Sequence, residues 1–229
     1  MQTGRIVLYT DVEEITYKNV IDVLRNAMTD HRVNAARIKY LMEYDEGNQP
    51  LKRKKKVRTE IDCHCVDNVA NEITEFWSSF GFGNPITLVQ TGDAEDKEIA
   101  EGVKNLNKQY NLVKIKTKTQ EIARPMLIGA ICNVLIDVNT EWKPGKAYFT
   151  YDVLNPMTSF VIKSSYYADR RTMLGVTFRH DKNSGSTYYT CYSKDSRYEI
   201  RDMNKIINGD AVEDDANKWK HEERSGEKN

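Results

Sequence analysis

The sequence predicts an α+β fold, with N-terminal helices followed by a mostly antiparallel β half. Two observations carry this. Between Val20 and Ile128, apolar residues recur mainly at spacings of three and four, the repeat of one helix face. After Gly129 the period changes to alternation, and aromatic and β-branched residues become dense. A third observation removes the main competitor. Strands and helices do not alternate as βαβ units and no segment repeats, so a doubly wound parallel sheet does not fit. The expected division is a helical part over 1–129, a β-rich part over 130–208 and a polar, mobile tail over 209–229.

The first helix is expected from about Val20 to Glu43. Val20, Leu24, Ala27, Met28, His31, Ala35, Ile38, Leu41 and Met42 share one face, in one bent helix or in two broken near Asp30. Turn residues Glu46 to Pro50 end it. A second helix is expected from about Val66 to Ser79, with Val66, Val69, Ala70, Ile73, Phe76, Trp77 and Phe80 as a wide apolar stripe. That stripe is expected to be simple core, with a subunit interface as the lesser reading. Gly81-Phe82-Gly83-Asn84-Pro85 stops the helix, and Ile86 to Val89 is expected as a short strand. A third helix runs from about Glu95 to Tyr110 with Ile99, Val103, Leu106 and Tyr110 inward. A fourth runs from about Lys116 to Ile128, kinked at Pro125 and ended by Gly129.

The β half begins with Ile131 to Asp137. It turns through Trp142-Lys143-Pro144-Gly145-Lys146 and returns along Tyr148 to Val153. Further strands are expected at Ser159–Ser164, Leu174–His180, Thr187–Tyr192 and Tyr198–Arg201. Asn155-Pro156 and Asn183-Ser184-Gly185 mark turns.

Composition narrows the function classes. A hydrophobic fraction of 39% and an aromatic fraction of 10% over 229 residues suit a folded protein with a sizeable core. Lys plus Arg equals Asp plus Glu at 34 each, so any nucleic-acid contact must come from a local patch. No apolar run has the length of a membrane span, and Ile6-Val7-Leu8 after Arg5 is too short for a signal peptide core. The chain therefore reads as cytosolic in origin. Four cysteines fit a reducing compartment, with Cys132 and Cys191 as buried thiols in apolar, strand-like segments.

Motifs with catalytic chemistry are lacking. Cys63-His64-Cys65 has neither the two-residue spacing nor the second ligand pair of a zinc site, so no metal is expected. His221-Glu222-Glu223 lacks a zinc-peptidase's second histidine. Gly81-Phe82-Gly83 is half a dinucleotide fingerprint and follows a helix instead of a strand. No phosphate loop and no nucleophile elbow is present. No cofactor and no enzymatic activity are expected. The one charged feature above background is Lys52, Arg53, Lys54, Lys55 and Lys56, with Arg58 just after. It is either a solvated loop or a contact to phosphates or to acidic residues of a neighbouring subunit.

Several segments, in order, resemble the portal proteins of siphophages that infect Gram-positive bacteria. The first is Tyr40-Leu41-Met42-Glu43-Tyr44-Asp45-Glu46-Gly47 followed by Gln49 to Lys56. The second is Val69 to Ile73 running on to Phe82-Gly83-Asn84-Pro85-Ile86. The third is Ala123-Arg124-Pro125-Met126-Leu127-Ile128-Gly129. The fourth is Leu154-Asn155-Pro156-Met157 to Ile162, followed by Met173-Leu174-Gly175-Val176. Gly47, Gly83, Asn84, Pro85, Gly129, Asn155 and Pro156 are the positions that match the family's turns. Cys63-His64-Cys65 and Pro125 depart from its pattern.

The resemblance implies a portal wing-like region of a virion structural protein made in the host cytoplasm. Such proteins form a ring, typically of twelve subunits, at one capsid vertex, through which double-stranded DNA is packaged and ejected. The ring meets capsid or scaffolding protein, and ATP is hydrolysed by the terminase motor instead of the portal. Portal proteins of this kind are much longer, and their stem, clip, tunnel loop and crown follow the part matched here. The chain is therefore expected to be a truncated product or a fragment, with contacts to terminase and head-completion proteins made through the part beyond it. Two rivals stand beside this expectation. One is a small nucleic-acid-binding module using the basic run Lys52 to Arg58, which predicts salt-dependent binding by a monomer. The other is an enzyme with a cleft between the helical and β halves.

Overall fold

The computed structural model describes residues 5–49, 66–91, 97–139, 143–166, 170–194, 196–207 and 219–220. The basic run Lys52 to Arg58, Cys63-His64-Cys65 and all of the 209–229 tail except Trp219 and Lys220 lie outside the described residues.

The fold is α+β. Four helices, α1 (Val20–Asp45), α2 (Val69–Phe82), α3 (Lys97–Leu112) and α4 (Ile115–Gly129), follow a short strand β1 (Leu8–Thr10). Then come β2 (Asn133–Val138), β3 (Phe149–Leu154), β4 (Ser159–Ser164), β5 (Thr172–His180), β6 (Thr187–Tyr192), β7 (Ser196–Arg201), β8 (Lys205–Ile206) and β9 (Trp219–Lys220). The chain divides into two compact units. Unit 1 comprises residues 1–37 and 156–229, and unit 2 comprises 38–155. The chain crosses between them within α1, after Arg37, and at the Asn155-Pro156 turn.

Unit 1 is a sheet ordered β1-β4-β5-β6-β7-β8, with β9 also on β7. Every pair is antiparallel except β1, which lies parallel to β4 with Leu8 opposite Ile162. The first half of α1 supplies Val20, Val23, Leu24, Ala27 and Met28, an i, i+3, i+4, i+7, i+8 stripe. The sheet supplies alternate residues to the same core: Phe160 and Ile162, Leu174 and Val176, Tyr189 and Cys191, Tyr198 and Ile200. Each large apolar side chain buried there contributes about 1.5–3 kcal/mol. The stripe on α1 continues through polar residues. His31, 2% exposed, stacks on Phe160 with ring centroids 4.3 Å apart, and its Nε2 donates to the Met157 carbonyl at 3.0 Å. Asn34 acts as a strand partner. Its Oδ1 accepts from Ile6 N at 3.0 Å and its Nδ2 donates to Ile6 O at 2.8 Å, which aims the chain into β1.

In unit 2, α2 packs against α4, and β2 pairs antiparallel with β3, from Asn133 opposite Leu154 to Val138 opposite Phe149. The turn between the strands contains Pro144 and Gly145. Gly145 has φ +91° and Lys146 N donates to Lys143 O at 2.9 Å, as a type II turn requires.

The structure decides one alternative and corrects two expectations. α1 is one helix without a break at Asp30, because nothing between Val20 and Asp45 interrupts its ladder and Asp30 is solvent-exposed. Its stripe ends differently, with Leu41 42% exposed and Asp45 buried. Residues 86–89 are not a strand. Their polar backbone is met by a side chain, since Asn107 accepts from Leu88 N at 3.0 Å and donates to Leu88 O at 2.9 Å. The strand β1 was not expected from Ile6-Val7-Leu8. The segments β4 and β6 fall where alternation placed them.

Candidate functional site

α2 begins where the Asn68 side chain accepts from Asn71 N at 3.4 Å, with Glu72 favourably placed in the first turn. It ends at Gly83. A Cβ there would collide with the Ser79 carbonyl oxygen, so only glycine lets the chain leave at this angle. Asn84 and Pro85 then lie exposed at the start of the extended segment.

The helix presents the wrong side to its own unit. Its one buried residue is Thr74, whose hydroxyl donates to Ala70 O at 3.1 Å, while α4 buries Ile115, Thr119, Ala123 and Gly129. Small and polar side chains thus serve the packing between α2 and α4. The apolar stripe faces solvent, with Val69 48%, Ile73 54%, Phe76 60%, Trp77 50% and Phe80 73% exposed. The expectation that this stripe is simple core is overturned. Phe76 and Phe80, one turn apart, stack with centroids 5.8 Å apart and planes 5° from parallel. Trp77 meets both edge-on at 5.7 and 6.1 Å. At about 200 Å² per aromatic side chain, these three rings alone present on the order of 350 Å² to water. That is already the size of the largest apolar patch on an ordinary monomer.

α3 shows the same inversion. Ile99 and Leu106, expected inward, are 52% and 40% exposed, while Val103 and Tyr110 are half-buried. The residue it buries is Gln109, whose Oε1 accepts from Tyr148 N at 3.0 Å. Of the twenty buried hydrophobic side chains among the described residues, only Ile38, Ile115 and Ala123 belong to unit 2. Of the twenty-four large hydrophobic side chains that are exposed, eighteen do.

Polar contacts hold unit 2 together in place of a core. Asp45, at the end of α1, has 4% of its side chain exposed. Its Oδ2 accepts from Arg124 Nη2 at 2.8 Å and from Asn71 Nδ2 at 3.3 Å, and its backbone carbonyl accepts from Asn68 Nδ2 at 2.7 Å. Arg124 also pairs with Glu75. Desolvation opposes the Arg124 charge, but the two carboxylates outweigh it and hold the guanidinium above its ordinary value. Asp45, Arg124 and Glu75 therefore tie the end of α1 to the middle of α2 and to α4. Sequence spacing does not reveal this cluster, because its members lie 30 and 49 residues apart or more.

Gly47 and Gly83 fall at places where a side chain is costly, whereas Gly129 leaves ordinary room for one. Gly47 ends α1 with φ +90°. Asn48 N bonds Glu43 O at 2.8 Å and Gly47 N bonds Tyr44 O at 3.1 Å, the two bonds of a Schellman cap. Gly129 is buried at the end of α4, where an added Cβ would touch Ile38 at 3.5 Å. Asn155 is exposed and Pro156 buried, at the crossing between units. Among the described residues no three His, Cys, Asp or Glu side chains converge as a metal site, and no helix is long and apolar enough to cross a membrane. Burial raises the thiols of Cys132, half-buried, and Cys191, which is pushed up to about 12.

No family model matches the chain, and no curated protein matches it.

Proposed function

We propose that this chain is a structural subunit of a tailed-phage portal. It would carry the wing-like region of a ring at the capsid vertex through which double-stranded DNA is packaged and ejected. One observation carries the structural part of this reading: the outward aromatic face of α2, in a unit whose described residues include three buried hydrophobic side chains and eighteen large exposed ones. A surface of that kind is stable in water only when something covers it, and the subunits of a ring cover one another through heterologous contacts. The portal part rests on the ordered motifs around Gly47, Gly83-Asn84-Pro85, Gly129 and Asn155-Pro156. Gly47, at φ +90°, and Gly83, where a Cβ would meet the Ser79 carbonyl oxygen, occupy positions whose geometry accounts for glycine. In this reading the protein performs no chemistry. ATP hydrolysis belongs to a separate motor, and the capsid or scaffolding protein meets the wing.

The test is to express the complete reading frame that contains this chain and to examine it by native mass spectrometry and negative-stain electron microscopy. Rings with a central channel are expected at micromolar concentration. A protein that stays monomeric at that concentration, and that binds DNA in a salt-dependent way lost on neutralising Lys52 to Lys56, would replace the portal reading with a small nucleic-acid-binding module.

A further inference from the structure

The unit 1 sheet has a second face, turned away from α1. Successive side chains on a strand point to opposite sides, so the residues between the core positions share this face. Cross-strand register orders them into rows. Arg179 lies opposite Tyr188, which lies opposite Arg201. Thr177, Thr190 and Glu199 form the next row, and Gly175, Tyr192 and Arg197 the one after. At the edges, Tyr9 pairs with Lys163 and Arg201 with Lys205.

Two properties set this face apart. It carries five cations, Lys163, Arg179, Arg197, Arg201 and Lys205, against Glu199 and the adjoining turn residue Asp202, in a chain whose net charge is zero. Arg197 meets Glu199 at 3.1 Å, Arg201 meets Asp202 at 3.4 Å and also donates to Ser186 Oγ, and the turn carboxylate Asp181 interacts with Arg179, so five cations against three anions leave an excess of two positive charges. Each of its three tyrosines also has a guanidinium over the ring: Arg170 over Tyr9 at 5.9 Å, Arg179 over Tyr188 at 5.4 Å and Arg197 over Tyr192 at 5.6 Å. A guanidinium can stack on a ring and still present its N–H edge to an anion, as the exposed Arg179 does over Tyr188. The half-buried state of Tyr188, Thr190 and Tyr192 is that of side chains at the centre of a sheet face that solvent still reaches.

We propose that this face binds single-stranded nucleic acid, with phosphates held by the arginines and lysines and bases laid on the Arg179–Tyr188 and Arg197–Tyr192 stacks. An acidic protein segment would use the cations and leave the tyrosine rows without a role. A duplex would do the same, because its bases are already stacked. An unpaired strand uses both, since cationic grooves track its backbone and aromatic side chains receive its bases. The proposal does not depend on the ring, and none of its readouts involves assembly.

The experiment is fluorescence anisotropy with the whole chain, a labelled oligo-thymidylate and a duplex of equal length, titrated at several salt concentrations. The single strand is expected to bind more tightly than the duplex. Charge reversal at two positions, K163E with R179E, is expected to weaken binding at least tenfold and to reduce the slope of log affinity against log salt by roughly 1.4. Y188A and Y192A should each weaken binding about tenfold with the slope unchanged, while Y188F retains it. If circular dichroism shows the alanine variants unfolded, the charge reversals and the strand-over-duplex preference decide alone. Four outcomes overturn the proposal. They are no binding of the single strand at low salt, equal duplex binding with silent tyrosine variants, displacement by polyglutamate with silent tyrosine variants, and binding lost on neutralising Lys52 to Lys56 but untouched by the sheet reversals.

Discussion

Replacing Phe80 with serine separates a core from an interface, because the two give opposite results on the isolated chain. Phe80 is 73% exposed, and its ring partners among the described residues are its helix neighbours Phe76 and Trp77. Phe80→Ser should therefore change the unfolding free energy of the monomer by no more than about 0.5 kcal/mol. A core phenylalanine at the same position would cost about 3–5 kcal/mol. In an assembly that covers this face, the exposed part of the ring, roughly 150 Å², would become buried, with a ceiling near 4 kcal/mol by area. Association recovers only part of such a figure, so a loss of about 2 kcal/mol per contact, near thirtyfold in dissociation constant, is expected. Guanidinium unfolding at submicromolar protein reads the first quantity, and sedimentation velocity across a concentration series reads the second. A monomer destabilised by 3 kcal/mol or more, with unchanged sedimentation, refutes the reasoning and returns the stripe to the core.

Other consequences follow from the same geometry. Arg124→Ala leaves the buried Asp45 carboxylate without its cation and should cost about 2–3 kcal/mol. Asp45→Ala leaves a half-exposed arginine that keeps Glu75 and water, and should cost only about 1 kcal/mol. Equal losses in denaturant titrations would contradict the asymmetry. Gly47→Ala places a Cβ at φ +90° and should cost about 1–2 kcal/mol from backbone strain alone, since Asn68 Nδ2 stands at an ordinary 3.5 Å from that Cβ; an unchanged melting temperature would show that the cap is not formed. Burial holds the His31 imidazole below its ordinary value of 6.5, more strongly than its bond to the Met157 carbonyl raises it. Below pH 6.5 the unfolded chain takes up a proton that the folded chain refuses. Stability contributed by this group is therefore full above pH 6.5 and falls as pH drops from there toward the lowered folded value. His31→Phe should flatten that limb in thermal melts between pH 5 and 7.5, and an unaltered limb would assign it to other groups.

The sequence by itself determined the α+β class, the four helices and most strands, because periodicity of 3.6 or 2 is a property of neighbours along the chain. It also determined the turn at Pro144-Gly145 and the helix ends at Gly47 and Gly83, where local sterics decide and no distant residue has a vote. Periodicity says that Val69, Ile73, Phe76, Trp77 and Phe80 share a face, but not which way that face turns. Only the tertiary structure decided this, through partners far along the chain. Asp45 and Arg124 seize Asn71 and Glu75 on the opposite side of α2 and turn its aromatic side outward. Residues 86–89 failed as a strand for a related reason. Their apolar pattern was right for one, but the group that satisfies Leu88 is the Asn107 side chain instead of a neighbouring strand. The cationic tyrosine face was equally hidden, since Arg179, Tyr188 and Arg201 become neighbours only once sheet register aligns three strands.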